Sequence, residues 1–106
     1  MNIPYVRHLQ TAGGNRTPNH YEIHTYPYVV FKSYSSTIAV RNVDNGITYL
    51  VAPYWNNYSA TTNRYLLQFL NEHSIKDVRE IVFSNLRDRK YKIVKSVNEI
   101  GGGIYE

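Results

Sequence analysis

The dipeptide Asn45-Gly46, set between the apolar runs STIAVRNV and ITYLVA, is the feature that most narrows what this chain can fold into. Asn-Gly suits a type I′ turn, whose two central residues both take positive φ, so a tight hairpin is expected there. A two-residue loop would set Asp44 opposite Ile47, Asn42 opposite Tyr49, Val40 opposite Val51 and Ile38 opposite Pro53. Ile38, Val40, Tyr49 and Val51 then form a core face, because a one-residue slip would turn every side chain to the other side. The opposite face, with Ala39, Arg41, Val43, Thr48, Leu50 and Ala52, is mixed and leaves room for a partner.

Strand signals precede the hairpin. HYEIHTYPYVVFKSY, residues 20 to 34, is rich in β-branched and aromatic residues, with Tyr21, Ile23 and Thr25 alternating against Glu22 and His24. Pro27 cannot donate to a ladder and divides the run, which makes Tyr28 to Lys32 the firmer strand. An antiparallel meander is the economical topology. After the hairpin, Ser59, Thr61 and Thr62 offer hydroxyls to a helix start, and Tyr65, Leu66, Phe69 and Leu70 follow a helical face, so a helix is expected over Thr61 to His73. Ser74-Ile75-Lys76-Asp77 opens a second, shorter helix, and Tyr91 to Val94 reads as a last strand flanked by lysines that suit an edge.

The expected fold is therefore one α+β domain over residues 1–106: a three- to four-stranded antiparallel meander built on the Asn45-Gly46 hairpin and packed by one or two helices. Residues 1–19 read as a partly irregular arm, and Gly101-Gly102-Gly103 releases a flexible tail over 101–106. At 106 residues there is material for a single core.

Composition excludes several kinds of chemistry. Without cysteine there is no disulfide, thiolate metal site or thiol nucleophile. His20 and His24 share a strand face but lie about 13 Å apart at a rise near 3.3 Å per residue, too far for a common metal ion. Ser59, His73 and Asp77 can be written as a triad, yet they read as ordinary cap and helix residues, and Gly13-Gly14 lacks the spacing and lysine of a phosphate loop. A protein that is not an enzyme and uses no cofactor or metal is expected. No signal-like or membrane-spanning run occurs, which gives a soluble, cytoplasmic expectation. Net charge is +4, from 12 basic against 8 acidic residues, too few carboxylates to imitate a nucleic-acid backbone.

Binding is the remaining class, and 11 tyrosines point to it, although tyrosine also fills exposed sheet faces. Two surfaces compete. One is the loop Pro53-Tyr54-Trp55-Asn56-Asn57-Tyr58 with Arg64, whose rings either anchor a protein partner or fold back as a lid. The other is a cationic cluster of Arg87, Arg89, Lys90, Lys92 and Lys95 that would hold a nucleic-acid backbone while Tyr91, or Tyr54 and Trp55, stacks on bases. A solvated turn and edge strand accounts for the same cluster without any ligand.

The run from Tyr34 to Leu70, followed by KDVREIVFSNLRDRKYKIVKS, resembles a group of short proteins encoded by phages and prophages of Gram-positive bacteria. The resemblance covers roughly residues 34 to 96 and rests on Tyr58-Ser59-Ala60-Thr61-Thr62 between the second hairpin strand and the helix. That group has no settled biochemical activity, so it assigns no role to any residue. It implies a context: a small accessory protein in the host bacterium that binds a host protein or nucleoprotein stoichiometrically, such as a CRISPR nuclease or another defence effector. The alternative is a weak nucleic-acid-binding protein.

Overall fold

The computed structural model describes residues 3–11, 13–52, 60–70 and 91–100. In chain order they form β1 (Tyr5–Gln10), β2 (Arg16–Thr25), β3 (Tyr28–Ser33), β4 (Ser36–Asn42), β5 (Thr48–Val51), α1 (Ala60–Leu70), β6 (Tyr91–Val94) and a 3-10 turn over Val97–Glu99. The strands make one sheet in the order β1-β2-β3-β4-β5-β6. The first five pair antiparallel as a meander, whereas β6 runs parallel to β5. A parallel neighbour needs a crossover connection, and α1 lies in it. The class is α+β, but the sheet is mixed and six-stranded, which corrects the expectation of three or four antiparallel strands.

The first addition to the sheet comes from the segment read as an irregular arm. Gly13-Gly14 is the turn of a further hairpin: the Gly14 N–H donates to the Thr11 carbonyl at 2.9 Å, the Thr11 N–H donates to the Asn15 carbonyl at 2.8 Å, and Gly14 takes φ +84°. The glycine is needed there because the left-handed region is costly for other residues. β1 follows from that turn. Its pairing with β2 is offset between His8 and Gln10, and among the described residues it has no outer neighbour.

The Asn45-Gly46 loop also differs from expectation. Only Gly46 has positive φ, at +74°, so the turn is not type I′. The loop holds four residues, 43–46, closed by Asn42 N–H to the Ile47 carbonyl and Gly46 N–H to the Asn42 carbonyl, each 2.9 Å. The Asn42 side chain supplies the turning force, its Oδ1 accepting from the N–H groups of Asp44 at 2.9 Å and Asn45 at 3.3 Å. The register therefore moves by two: Val40 faces Tyr49, Ala39 faces Leu50 and Arg41 faces Thr48. A shift of two keeps Val40, Tyr49 and Val51 together on one side and Ala39 and Leu50 on the other, since side chains alternate with period two.

Both faces of the sheet are covered. Val29, Phe31, Ala39, Leu50 and Tyr91 pack with Tyr65, Leu66, Phe69 and Leu70 of α1. Val30, Val40, Val51, Val94 and Val97 form a second cluster on the other side, with half-buried Tyr28, Tyr49 and Ile100 against it. The face expected to be mixed is thus the one the helix covers. Ile38 joins the helix-side cluster with its neighbour Ala39, because the β3–β4 register shifts between Phe31 and Lys32 and puts a bulge in β4.

The helix behaves as its spacing predicts, presenting Thr62, Tyr65, Leu66, Leu67, Phe69 and Leu70 inward. Phe69 stacks on Phe31 with ring centroids 5.4 Å apart. Arg41 of β4 donates to the Phe69 carbonyl and lays its guanidinium 4.5 Å from the Phe69 ring centroid. The bond ties α1 to β4 through a charged donor, which is stronger than a neutral one. The expected second helix from Ser74, the helix end over 71–73 and the glycine tail lie outside the described residues.

Candidate functional site

Register places the site. Across the helix-bearing face one row of the sheet reads Tyr5, His24, Val29, Arg41, Thr48, Tyr91, and the adjacent row reads Arg7, Glu22, Phe31, Ala39, Leu50. From Phe31 onward these rows lie beneath α1. The β1–β2 end of the same rows is open, and there Arg7, Glu22 and His24 line a cleft of about 510 Å³ with Gln10, Arg41 and Gln68. Gln68 closes its far side by exchanging two hydrogen bonds with the Gln10 backbone, at 3.3 and 3.1 Å.

Glu22 is the fixed centre of this cleft. Only 6% exposed, it contrasts with the solvent-facing position that its alternation with Tyr21 and Ile23 suggests. One carboxylate oxygen accepts from His24 Nε2 at 2.9 Å and pairs with the Arg7 guanidinium at 3.8 Å. A carboxylate can only accept, so His24 carries its proton on Nε2. The other side of the His24 ring stacks on Tyr5, centroids 4.4 Å apart and planes within 9°.

His24 and Tyr5 also form a wall of a second, smaller cleft of about 190 Å³, shared with Ile3, Tyr26, Tyr28, Val29 and Val43. Its rim is apolar and open: Tyr5 is 57% exposed, Tyr26 58%, Ile3 78% and Val43 48%. Two loops meet here. The Tyr26–Pro27 peptide, which is cis, lies in the β2–β3 turn, and the Pro27 carbonyl accepts from the Val43 N–H at 2.9 Å. The Tyr26 hydroxyl donates to Asp44, and that bond, with the nearby carboxylate charge, raises the Tyr26 pKa.

Ion pairing among the described residues is one-sided. Every carboxylate among the described residues is engaged within the fold: Glu22 as above, Asp44 by Tyr26, and Glu99 by the backbone N–H groups of Lys95 and Ser96. Arg16, Lys32, Arg41, Arg64, Lys92 and Lys95 have no ion pair with a described carboxylate. Among the described residues, then, cations and not carboxylates are left without an ionic partner.

The described residues include only part of the surfaces expected from sequence. Tyr54, Trp55 and Tyr58 lie outside them, as do Arg87, Arg89 and Lys90, and as do Ser59, His73 and Asp77. Arg64 is exposed on α1, its guanidinium 5.1 Å from the Tyr65 ring centroid. Tyr91 is 2% exposed and packs in the helix-side core, so its ring does not face a base; Lys92 and Lys95 are exposed, with Lys92 on the face away from α1. Tyr5, Arg7, Glu22, Tyr26 and Arg41 were not singled out by sequence. The signal that could have found them is the pair of i, i+2 spacings Tyr5-x-Arg7 and Glu22-x-His24, which on paired strands bring aromatic, cation and carboxylate together.

His20, on the same side of β2, is buried against Tyr65, ring centroids 4.3 Å apart. Its Nδ1 lies 3.3 Å from the Thr17 hydroxyl, while Nε2 has no partner. Burial, reinforced by the charge of Arg64, lowers its pKa. Among the described residues no group of three histidine or carboxylate side chains is gathered around a common point as metal ligands.

A family model matches residues 5–85, a span that runs from β1 through α1 and holds every residue of both clefts except Ile3. The chain belongs to DUF8033, a family of unknown function. No curated protein matches it, and no solved structure does. For this DUF8033 chain the paired clefts bring together an engaged buried carboxylate, two arginines and exposed rings. No described helix is long and apolar enough to cross a membrane.

Proposed function

We propose that this protein works by stoichiometric binding of an anionic macromolecular partner, a protein or nucleoprotein, through the open β1–β2 end of the helix-bearing face. The observation that carries this reading is the apolar, aromatic rim of Ile3, Tyr5, Tyr26 and Val43 around a cleft, on a fold whose two sheet faces are already covered elsewhere. Exposed aromatic rings beside arginines are the residues that dominate interface energetics. Arg7, whose side chain stays 68% exposed while it pairs with Glu22, stands beside them, and a cation there favours an acidic counterpart and would speed its encounter. The resemblance to phage and prophage proteins supports a bacterial host as the source of that partner, with a CRISPR nuclease or another defence effector as the candidate to test first. The loop of Tyr54, Trp55 and Tyr58 is a further contact candidate on the same reading.

Affinity capture from bacterial lysates containing such a defence system, with and without nuclease treatment, tests the proposal. Wild-type protein should retain a specific partner that Tyr5→Ala and Tyr26→Ala lose. Retention by the variants equal to that of the parent would contradict it.

A further inference from the structure

The sheet ends differently at β1 and at β6. Residues 3–7 are all exposed, Val6 by 54% and the Arg7 side chain by 68%, and no described strand pairs with the outer side of β1. An unpaired strand leaves backbone N–H and C=O groups free to take another strand. The opposite edge is guarded: Lys92 is exposed within the four residues of β6, and exposed Lys95 follows. Tyr5 indicates what fits beside β1. Its ring lies within 9° of parallel to that of His24, its direct neighbour on β2, so its second face looks away from β2, toward the place of a strand added outside.

A second copy of β1 meets that face with a cation. Two identical strands paired antiparallel about a two-fold axis set residues opposite one another at a constant sum of their numbers. The pleat requires both members of a pair to lie on the same face, so the axis passes through a residue. An axis at Arg7 opposes two guanidiniums, one at His8 meets the offset between His8 and Gln10, and one at Tyr5 sets Val6 against Pro4 and leaves Arg7 without a ring. An axis at Val6 avoids all three. It sets Val6 against Val6 on one face and, on the helix-bearing face, Tyr5 against Arg7 twice. The guanidinium then lies over the open ring face, as that of Arg41 lies over Phe69 within this fold. Arg7 keeps its own Glu22 there, so each row across the joint reads His24, Tyr5, Arg7, Glu22, the last two from the second copy.

We infer that the protein forms a two-fold dimer through β1, the sheet continuing into the second copy in the register centred on Val6. The axis is perpendicular to the sheet, so both helices lie on one side and the two open ends adjoin. This goes beyond the partner proposed above and does not depend on it.

Sedimentation of the full chain over a concentration series tests the inference, with circular dichroism showing that each variant folds. The parent should sediment as a dimer. Val6→Lys and Val6→Glu, which each oppose like charges at the axis, should raise its dissociation constant at least about tenfold, and mixing the two proteins should restore the dimer. Tyr5→Ala and Arg7→Gln should each weaken it roughly tenfold, because the symmetry removes the same contact twice, and the double variant should be no weaker than either alone. Ile93→Lys, a matching change on the β6 edge where Ile93 is 42% exposed, should leave the dimer unchanged. A parent that is monomeric at about 0.1 mM would overturn the inference. So would a dimer that survives both Val6 variants, one that mixing them fails to restore, or one lost equally in Ile93→Lys.

Discussion

The two ends of the helix-bearing sheet face are built from the same alternating strands and yet do opposite things. Toward β4 and β5, Phe31, Ala39 and Leu50 vanish beneath α1, with Phe31 stacked on Phe69. Toward β1 and β2 the equivalent positions hold Arg7, Glu22, His24 and Tyr5, which line clefts instead of filling them. The difference lies in what each row could bury without cost. An apolar row gains by being covered, whereas a covered Arg7 or Arg41 would lose hydration and need a partner for every donor. The helix covers the apolar positions, and at their border Arg41 donates to the Phe69 carbonyl. A binding surface can therefore be left on a fully folded sheet without weakening its core.

The sharpest way to break this contrast is from the closed end. Phe31→Ala should cost about 3 to 5 kcal/mol, because it opens a cavity under α1 that the fully buried Phe31 now fills. Chemical denaturation with an unchanged m-value measures it. Arg41→Ala, at the junction, should cost about 2 kcal/mol through the lost charged hydrogen bond and the contact with the Phe69 ring. It should also weaken partner capture, so that it alone affects both ends.

Gly46→Val tests the loop that carries Asp44 to Tyr26. No atom lies within 4 Å of a Cβ placed there, so the cost is conformational, about 1 to 2 kcal/mol for a β-branched residue at φ +74°. A variant that melts with its parent would contradict the loop geometry. His20 gives a smaller effect with a defined sign. Its folded pKa is lowered, so the unfolded chain binds the extra proton; stability is full above the ordinary histidine value of about 6.5 and falls as the pH drops through it toward the lower folded value. Melts between pH 8 and pH 5 should show that decline, and His20→Phe should flatten it.

How legible each region was from sequence follows the same division. The β3–β4–β5 meander, α1 and β6 as an edge strand could be read because apolar periodicity marks them: Val40 with Tyr49 and Val51, Tyr65 with Leu66 and Phe69. The loop between Asn42 and Ile47 misled by two positions, since an asparagine outside the Asn-Gly pair makes the turn, and period-two alternation concealed the error for Val40, Tyr49 and Val51, while the bulge in β4 carried Ile38 to the other face. β1 was illegible because an edge strand that lines a cleft carries Arg7 and His8 among its apolar residues and so lacks a burial pattern. The site escaped for the same reason. Its residues come from different strands, and only the register between β1, β2 and β4 brings Tyr5, Glu22 and Arg41 to one surface.

The central claim is that Tyr5 and Tyr26 stand at the open end to bind and not to hold the fold together. Thermal and chemical unfolding of the double variant Tyr5→Ala/Tyr26→Ala tests it most directly. Both rings are more than half exposed, so only the His24 stack and the bond to Asp44 are lost, and the predicted destabilisation is about 1 kcal/mol or less. A loss of about 3 kcal/mol or more, the scale of a buried aromatic, would make these rings part of the core and contradict the account.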